Sequence, residues 1–281
     1  MYSELNLDLQ AFAKRVYDSI LYESTFYKFL NTAYIGTLRQ TGAPVIEIAK
    51  TTPVSVNVRQ TKEIQSGLTP ALTTYSHTMV DLTELNMDYS IRVPLMVTGS
   101  DITNAVQDAA DLEDSAIANQ IDVYGYGKLA AASMDEFEWD PSTQQDYIDN
   151  LNTLRATLFN KKVTGDYRLG LGAIEYAKLV SALTSVLKFE TMAGREGVDM
   201  GEIARVYGIS VFEINDNVLG DEKGYFFNPI AVVGDTFFSA FVQHNSPQGY
   251  PGYYVLEGTQ SFGAEVVRPE AIIRLVEEVS A

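Results

Sequence analysis

The chain has 281 residues, with 37 acids against 20 bases and a formal net charge of −17. Affinity for nucleic acid ordinarily comes from cationic surface that releases counterions, so this charge argues against tight direct binding of DNA or RNA. With 46% hydrophobic and 20% charged residues the sequence is that of a folded chain with a real core, and without cysteine it has no disulfides or thiolate metal sites. In the first 33 residues, Leu9, Phe12, Val16 and Ile20 mark one face of a short amphipathic helix. Lys14, Arg15 and Asp18 interrupt those apolar positions, so the segment does not read as a signal peptide. Phe26-Tyr27-Lys28-Phe29-Leu30 follows, an aromatic run without strict periodicity. Such a run lies against something, either its own core or a neighbouring subunit.

Residues 34–97 are β-type. Val45-Ile46-Glu47-Ile48, Val54-Ser55-Val56-Asn57-Val58 and Tyr89-Ser90-Ile91-Arg92-Val93-Pro94 are β-branched and partly alternating. Residues 59–85 are rich in Thr, Ser, Lys and Gln, with Gly67 and Pro70 as turn makers and few residues able to build a core. The expected arrangement is a two-stranded arm over about 51–85 with a polar tip. An isolated hairpin is marginal in water, so this arm should lie on an adjacent subunit. Arg59, Lys62 and Glu63 are its candidate contacts, each exposed pair contributing about 0 to 1 kcal/mol.

Residues 98–133 read as one long helix. Its apolar stripe is Ile102, Val106, Ala109/Ala110, Leu112, Ala116/Ile117, Ile121 and Tyr124, with Ser100 as N-cap and Gly125 and Gly127 loosening its end. Such a helix would be roughly 50 Å long. A compact globule of this chain length has a radius of gyration of roughly 19 Å, so the helix would cross the whole molecule. An acidic connector ends at Pro141. From Ser142, a predicted N-cap, an α/β unit follows: a helix through Tyr147, Leu151, Leu154 and Leu158, a strand at 167–171 and a helix at 173–187. Then come a glycine-rich loop at Gly194-Arg195-Glu196-Gly197, a strand at 206–214, an apolar stretch at 225–241 and a loop at 245–252. The segment 263–279 begins as a strand, is broken by Pro269 and ends apolar.

Catalytic patterns are weak. His77 and His244 stand in polar surroundings without a motif partner, and no Gly-x-Ser-x-Gly elbow occurs. Gly127-Lys128 fails as a phosphate loop, because Leu129 follows and Asp122 occupies the first glycine position. Gly170 and Gly172 form only a lone Gly-x-Gly. The acidic clusters Asp108, Asp111, Glu113, Asp114 and Asp135, Glu136, Glu138, Asp140 do not match a calcium loop, and read as a solvated face or inter-subunit ion pairs. No catalytic residue, cofactor or metal site is expected.

The order of parts resembles the major capsid proteins of tailed double-stranded DNA phages, which share the Hong Kong 97-type fold with encapsulins. The resemblance is carried by Tyr34-Ile35-Gly36-Thr37-Leu38 with Gly42-Ala43-Pro44-Val45-Ile46-Glu47-Ile48, and by Tyr89 to Pro94, Asp101 and Ala118-Asn119-Gln120-Ile121-Asp122-Val123-Tyr124. Further along it is carried by Arg168-Leu169-Gly170-Leu171-Gly172-Ala173-Ile174-Glu175-Tyr176-Ala177-Lys178-Leu179, by Glu202-Ile203-Ala204-Arg205-Val206-Tyr207-Gly208-Ile209-Ser210-Val211-Phe212-Glu213, and by Gly263-Ala264-Glu265-Val266-Val267-Arg268-Pro269-Glu270-Ala271-Ile272.

The resemblance implies an α+β capsid fold. Its parts would be an N-terminal arm (1–33), peripheral-domain strands with an extended β-hairpin loop (34–97), a spine helix and connector (98–141), an axial α/β domain (142–262) and a closing strand (263–281). It implies a non-enzymatic shell protein that forms hexamers and pentamers around packaged double-stranded DNA, in a virion assembled in the host cytoplasm. Gly67 in the extended loop, with Gly194, Arg195, Glu196 and Gly197 and the loop at 245–252 near the capsomer centre, would join Arg59, Lys62 and Glu63 as assembly contacts. Implied partners are a separate scaffolding protein, or none, because only about 33 residues precede the extended loop, and portal and decoration proteins, with no membrane. An encapsulin-type shell around cargo enzymes is the alternative within the fold. An acidic α/β enzyme or ligand-binding protein is the alternative outside it.

Overall fold

The computed structural model describes residues 23–31, 45–51, 75–94, 100–132, 134–183, 204–206, 208–245 and 252–277. In these, one long helix and a three-stranded sheet stand beside a six-stranded sheet with its own helices, and a two-stranded sheet forms a third element.

The two-stranded sheet is the base of the expected arm. β1 (Val45–Thr51) and β2 (Tyr75–Asp81) pair antiparallel, with Val45 opposite Asp81 and Thr51 opposite Tyr75. The second strand was hidden in the segment expected to be poor in core residues. A half-buried strand needs only every second side chain apolar. Val80 of β2 and Leu82, the first residue beyond it, are buried with Ile48, Val233 and Val267.

In the three-stranded sheet β10 (Tyr253–Val266) lies between β3 (Leu85–Pro94) and β9 (Val232–Asn245), both antiparallel to it. Helix α1 (Ser100–Ala131) packs on β3 and β10. Its 32 residues correspond to about 48 Å of helix. Ser100, the expected cap, is the first helical residue. Ile117, Ala118, Ile121, Gly125, Tyr126 and Leu129 face inward at three- and four-residue spacing, whereas Ala116 is exposed. The first half of the predicted stripe has side chains outside the described set. Gly125 and Gly127 do not loosen the helix, which runs on to Ala131.

The six-stranded sheet has the order β4 (Asp135–Glu138), β11 (Ile272–Val276), β8 (Gly224–Phe227), β5 (Tyr167–Gly172), β7 (Ile209–Ile214), β6 (Ala204–Val206). β5 runs parallel to β7 and β11 parallel to β4. The acidic connector is therefore an edge strand. Helix α2 (Gln144–Asn160) starts one residue later than expected, because Thr143 accepts from the Asp146 amide and the Asp146 carboxylate accepts from Thr143. Ser142 adds two bonds to the same carboxylate. α2 buries Tyr147, Leu151, Leu154 and Leu158, and the adjacent α3 (Ala173–Leu183) buries Tyr176, Leu179 and Leu183.

Strand pairing divides the chain differently from the expected boundaries at 142 and 262. The predicted strand at 206–214 is a hairpin of β6 and β7, turning at Gly208 with a φ of 78° that favours glycine. The apolar stretch 225–241 changes sheets: β8 belongs to the six-stranded sheet, β9 to the three-stranded one. The break is Asn228-Pro229, where the Asn228 side chain accepts from the Ile230 amide and Pro229 starts a 3₁₀ turn. A second break at Pro269 returns the chain from β10 to β11. The two crossings bond to each other, Val267 N to Ala231 O at 2.8 Å and Asn228 N to Ala271 O at 3.0 Å. Tyr253 at the start of β10 accordingly lies opposite Pro94 of β3, and residues 246–251 lie outside the described set.

Candidate assembly elements

The aromatic run at 26–30 is buried in its own subunit, which decides between the two readings of it. Phe26–Phe29 forms one 3₁₀ turn, and Phe26 and Phe29 are both 0% exposed. Within the segment Ser24 Oγ accepts from Tyr27 N at 3.2 Å, and helix α1 supplies the remaining acceptor. The buried Asp122 carboxylate accepts from Thr25 N at 3.1 Å, Phe26 N at 2.9 Å, Ser24 Oγ at 2.6 Å and Thr25 Oγ1 at 2.8 Å. A carboxylate at the start of a helical turn meets donors that otherwise stay unpaired. In sequence Asp122 stood out as a failed phosphate-loop position and as part of the resembling run 118–124, not as a cap. The missed signal was an acid beside Ile121 on the buried stripe, since a buried charge must find partners.

From Asp122 this strap, residues 23–31, reaches both the three-stranded and the six-stranded sheet. The Tyr27 hydroxyl donates to Asp235 of β9, Leu30 bridges to Val232, and Asn31 N donates to Val232 O at 2.8 Å. Arg168 of β5 donates to the Lys28 carbonyl. Lys28 is lowered from its ordinary value by burial, with nearby Asp122 acting the other way. Its ammonium sits 5.7 Å from the Phe212 ring centre. Phe29 stacks on Phe227 at 3.7 Å between centroids and meets Tyr126, Phe212 and Tyr225 edge-on.

Phe26 lies against α1 where the helix has no side chain. A methyl group built on Gly125 would fall inside the Phe26 ring. Gly125→Ala is therefore expected to lose about 1–3 kcal/mol to overpacking. The better helix propensity of alanine returns about 1 kcal/mol. Denaturant melts of Gly125→Ala, Phe26→Ala and the double variant check this, because removal of the ring should relieve most of the Gly125→Ala loss.

The far end of α1 is held by Arg274 of β11. Its Nη2 donates to Ala130 O at 2.7 Å and Ala132 O at 3.3 Å, its Nε lies 3.2 Å from Glu222, and its Nη1 lies 3.7 Å from Glu136. Cations are favoured at a helix C-terminus. Burial pushes the Glu222 carboxyl up to about 7, with Arg274 opposing and Glu136 adding to the rise; the Tyr225 hydroxyl donates to it. The folded chain thus holds a proton here that the unfolded chain releases above its ordinary value of 4.5. The stabilisation from Glu222 is complete below that value and is lost as pH rises through about 7. Glu222→Gln should flatten this part of the stability profile, seen as a smaller fall in melting temperature between pH 5 and pH 8.

Asp135 pairs with Lys161 and Glu136 with Arg274 within the subunit, and both acids stand at exposed positions. No group of three metal-ligating side chains converges among the described residues. The side chains of Asp108, Asp111, Glu113, Asp114, His77 and His244 lie outside the described set, although both histidines have strand backbones. Arg59, Lys62, Glu63, Gly67, Gly194, Arg195, Glu196 and Gly197 also lie outside the described residues. Among the described residues no helix is long and apolar enough to cross a membrane. An open groove of about 520 Å³ between the connector, α2 and α3 is lined by Tyr147, Lys178 and Ser181, with no histidine.

No protein-family model matches the chain, and no curated protein matches it in sequence. Solved structures do. A structure from Mycobacterium phage Che8 superposes with a TM-score of 0.61 at 18% identity, covering 92% of each chain. The capsid structure of cyanophage P-SCSP1u gives 0.60 at 14% identity, over 85% of this chain and 84% of that one. The chain has a phage capsid fold. A virus-like particle from Pyrococcus furiosus, TM-score 0.56 at 12% identity, shares it over 96% of this chain and 100% of that one. Within this capsid fold the strap at 23–31 is the piece that ties α1, the three-stranded sheet and the six-stranded sheet into one core.

Proposed function

We propose that the chain is the major capsid protein of a tailed phage, a shell subunit of the Hong Kong 97 type. The observation that carries the proposal is the end-to-end match to capsid structures, 92% of this chain and of the Che8 chain alike. Physical features agree with it. A helix of 32 residues suits a flat plate better than a globule, and the arm β1–β2 is too small to be stable alone.

In this reading α1 and the three-stranded sheet form the peripheral plate. The six-stranded sheet with α2 and α3 is the axial unit of hexamers and pentamers. The arm, with Arg59, Lys62, Glu63 and Gly67, overlaps a neighbour, and residues 194–197 approach the capsomer centre. A net charge of −17 lets the shell enclose double-stranded DNA without condensing onto it, so packaging work comes from a separate motor. The shell itself catalyses nothing.

The match to the Pyrococcus particle favours one second reading, a cellular compartment. Particles purified from cells decide between the two. Nuclease-protected double-stranded DNA in particles made with the phage's packaging genes supports the capsid. Copurifying cargo enzymes in empty shells support the compartment, and a chain that stays monomeric even with a scaffolding protein supplied excludes both.

A further inference from the structure

β1 and β2 form a sheet of their own and rest on the body through a small core, Ile48, Val80, Leu82, Val233 and Val267, separate from the main one. After Leu82 the chain turns into β3 within two residues. Asp81 fixes the turn by accepting from Thr83 N at 2.8 Å and Thr83 Oγ1 at 2.7 Å, and Asn86 donates to Thr83 O at 2.9 Å. Two features then attach this turn to the rigid body.

The first is ionic. Lys128 of α1 reaches the Glu84 carboxylate at 2.7 and 2.8 Å and Glu265 of β10 at 3.3 Å, while the Tyr124 hydroxyl donates to Glu84 at 2.8 Å. Glu84 is held below its ordinary value chiefly by the Lys128 hydrogen bond. Burial raises Tyr124 to about 12, and the hydrogen bond to Glu84 adds to the rise. The second is steric. A Cβ on Gly263 would come within 2.6 Å of Leu82 Cα and closer still to the Asp81 carbonyl, so the turn crosses β10 where only glycine leaves room. The ionic clamp spans α1, the turn and β10; the glycine notch sets the depth of the turn.

We infer that the turn 81–84 is the pivot of the arm, and that Lys128, Glu84, Glu265 and Gly263 are positioning residues that set the arm's angle and, through it, the curvature of the assembled shell. The curvature half of this inference rests on the shell reading. A seven-residue strand spans about 23 Å, so a rotation of about 10° at the pivot displaces its far end by about 4 Å. That displacement equals a whole side-chain contact distance and changes which neighbour surface the arm meets.

The test uses the absence of native cysteine. Met79→Cys on β2 and Val123→Cys on α1, both at exposed positions, carry spin labels whose separation is read by pulsed electron resonance in the unassembled subunit. Lys128→Glu should broaden the distance distribution, and Glu84→Lys added to Lys128→Glu should narrow it again. Gly263→Ala should shift its centre. In electron micrographs the unlabelled Lys128→Glu chain should close into shells of mixed diameter, and the charge-swapped pair should regain the wild-type diameter.

Identical distance distributions in wild type and Lys128→Glu would overturn the pivot. Altered distances with unchanged shell diameters would overturn its role in curvature. A wild type that makes no particles would instead overturn the shell reading, and the curvature role with it, while the distances still decide the pivot.

Discussion

Phe29→Ala is expected to destabilise the subunit by about 3–5 kcal/mol, the cost of deleting a fully buried phenylalanine that neighbours cannot replace. Phe29 is 0% exposed and fills the point where the layers meet. One face lies on Phe227, and the edges of Tyr126, Phe212 and Tyr225 surround it. Those residues come from α1, β7 and β8, so no single element can move to close the gap without breaking its own sheet or helix packing. The loss should appear as a lower denaturant midpoint with an unchanged slope, since the native contacts elsewhere persist. A loss below about 1 kcal/mol, the range of an ordinary surface substitution, would show that the strap is not part of the folding core.

Asp122→Ala should cost about 3 kcal/mol, because it leaves the amides of Thr25 and Phe26 and the Ser24 hydroxyl without their acceptor. The two changes differ in where the damage falls. Phe29 is shared by the whole core, whereas Asp122 holds only the start of the strap. Opening of 24–31 should therefore become easier than global unfolding, and trypsin cleavage after Lys28 reads it directly. If opening is fast relative to cleavage, 3 kcal/mol corresponds to cleavage about a hundredfold faster. Asp122→Asn should fall between wild type and alanine, since an amide oxygen accepts but its NH₂ faces donors. Cleavage at the wild-type rate in Asp122→Ala would mean that aromatic packing alone holds the strap.

These two residues also mark the limits of what the sequence shows. The density of aromatics at 26–30 says that the segment is buried, but not in what, because its partners lie 96 to 208 positions away. α1, β5 and α3 were legible because their signals are local: an apolar stripe at helical spacing, and a glycine-rich strand running into a helix. Local chemistry also marked the break at Pro269, but the one at Pro229 lay unmarked inside a stretch that reads as continuously apolar. It did not show that the chain changes sheets at each, since β8 and β9 are equally apolar and only long-range pairing separates them. Gly125 was misread for the same reason. A glycine in a helix looks like a weak point until the Phe26 ring that requires it is known.

β1 was legible as a strand, but its partner β2 was obscured by serine, threonine and histidine in Tyr75–Asp81. Its anchoring was not legible at all. Glu84, Lys128 and Glu265 are ordinary surface charges in sequence, and only the fold brings them within 3.3 Å.

Electron cryomicroscopy of the purified chain, with a scaffolding protein supplied if needed, tests the central claim most directly. The account predicts closed icosahedral shells built from hexamers and pentamers, with Phe26, Tyr27, Phe29 and Leu30 buried inside each subunit and the β1–β2 arm resting on its neighbour. A monodisperse monomer under every assembly condition, or particles whose arm folds back on its own subunit, would contradict it.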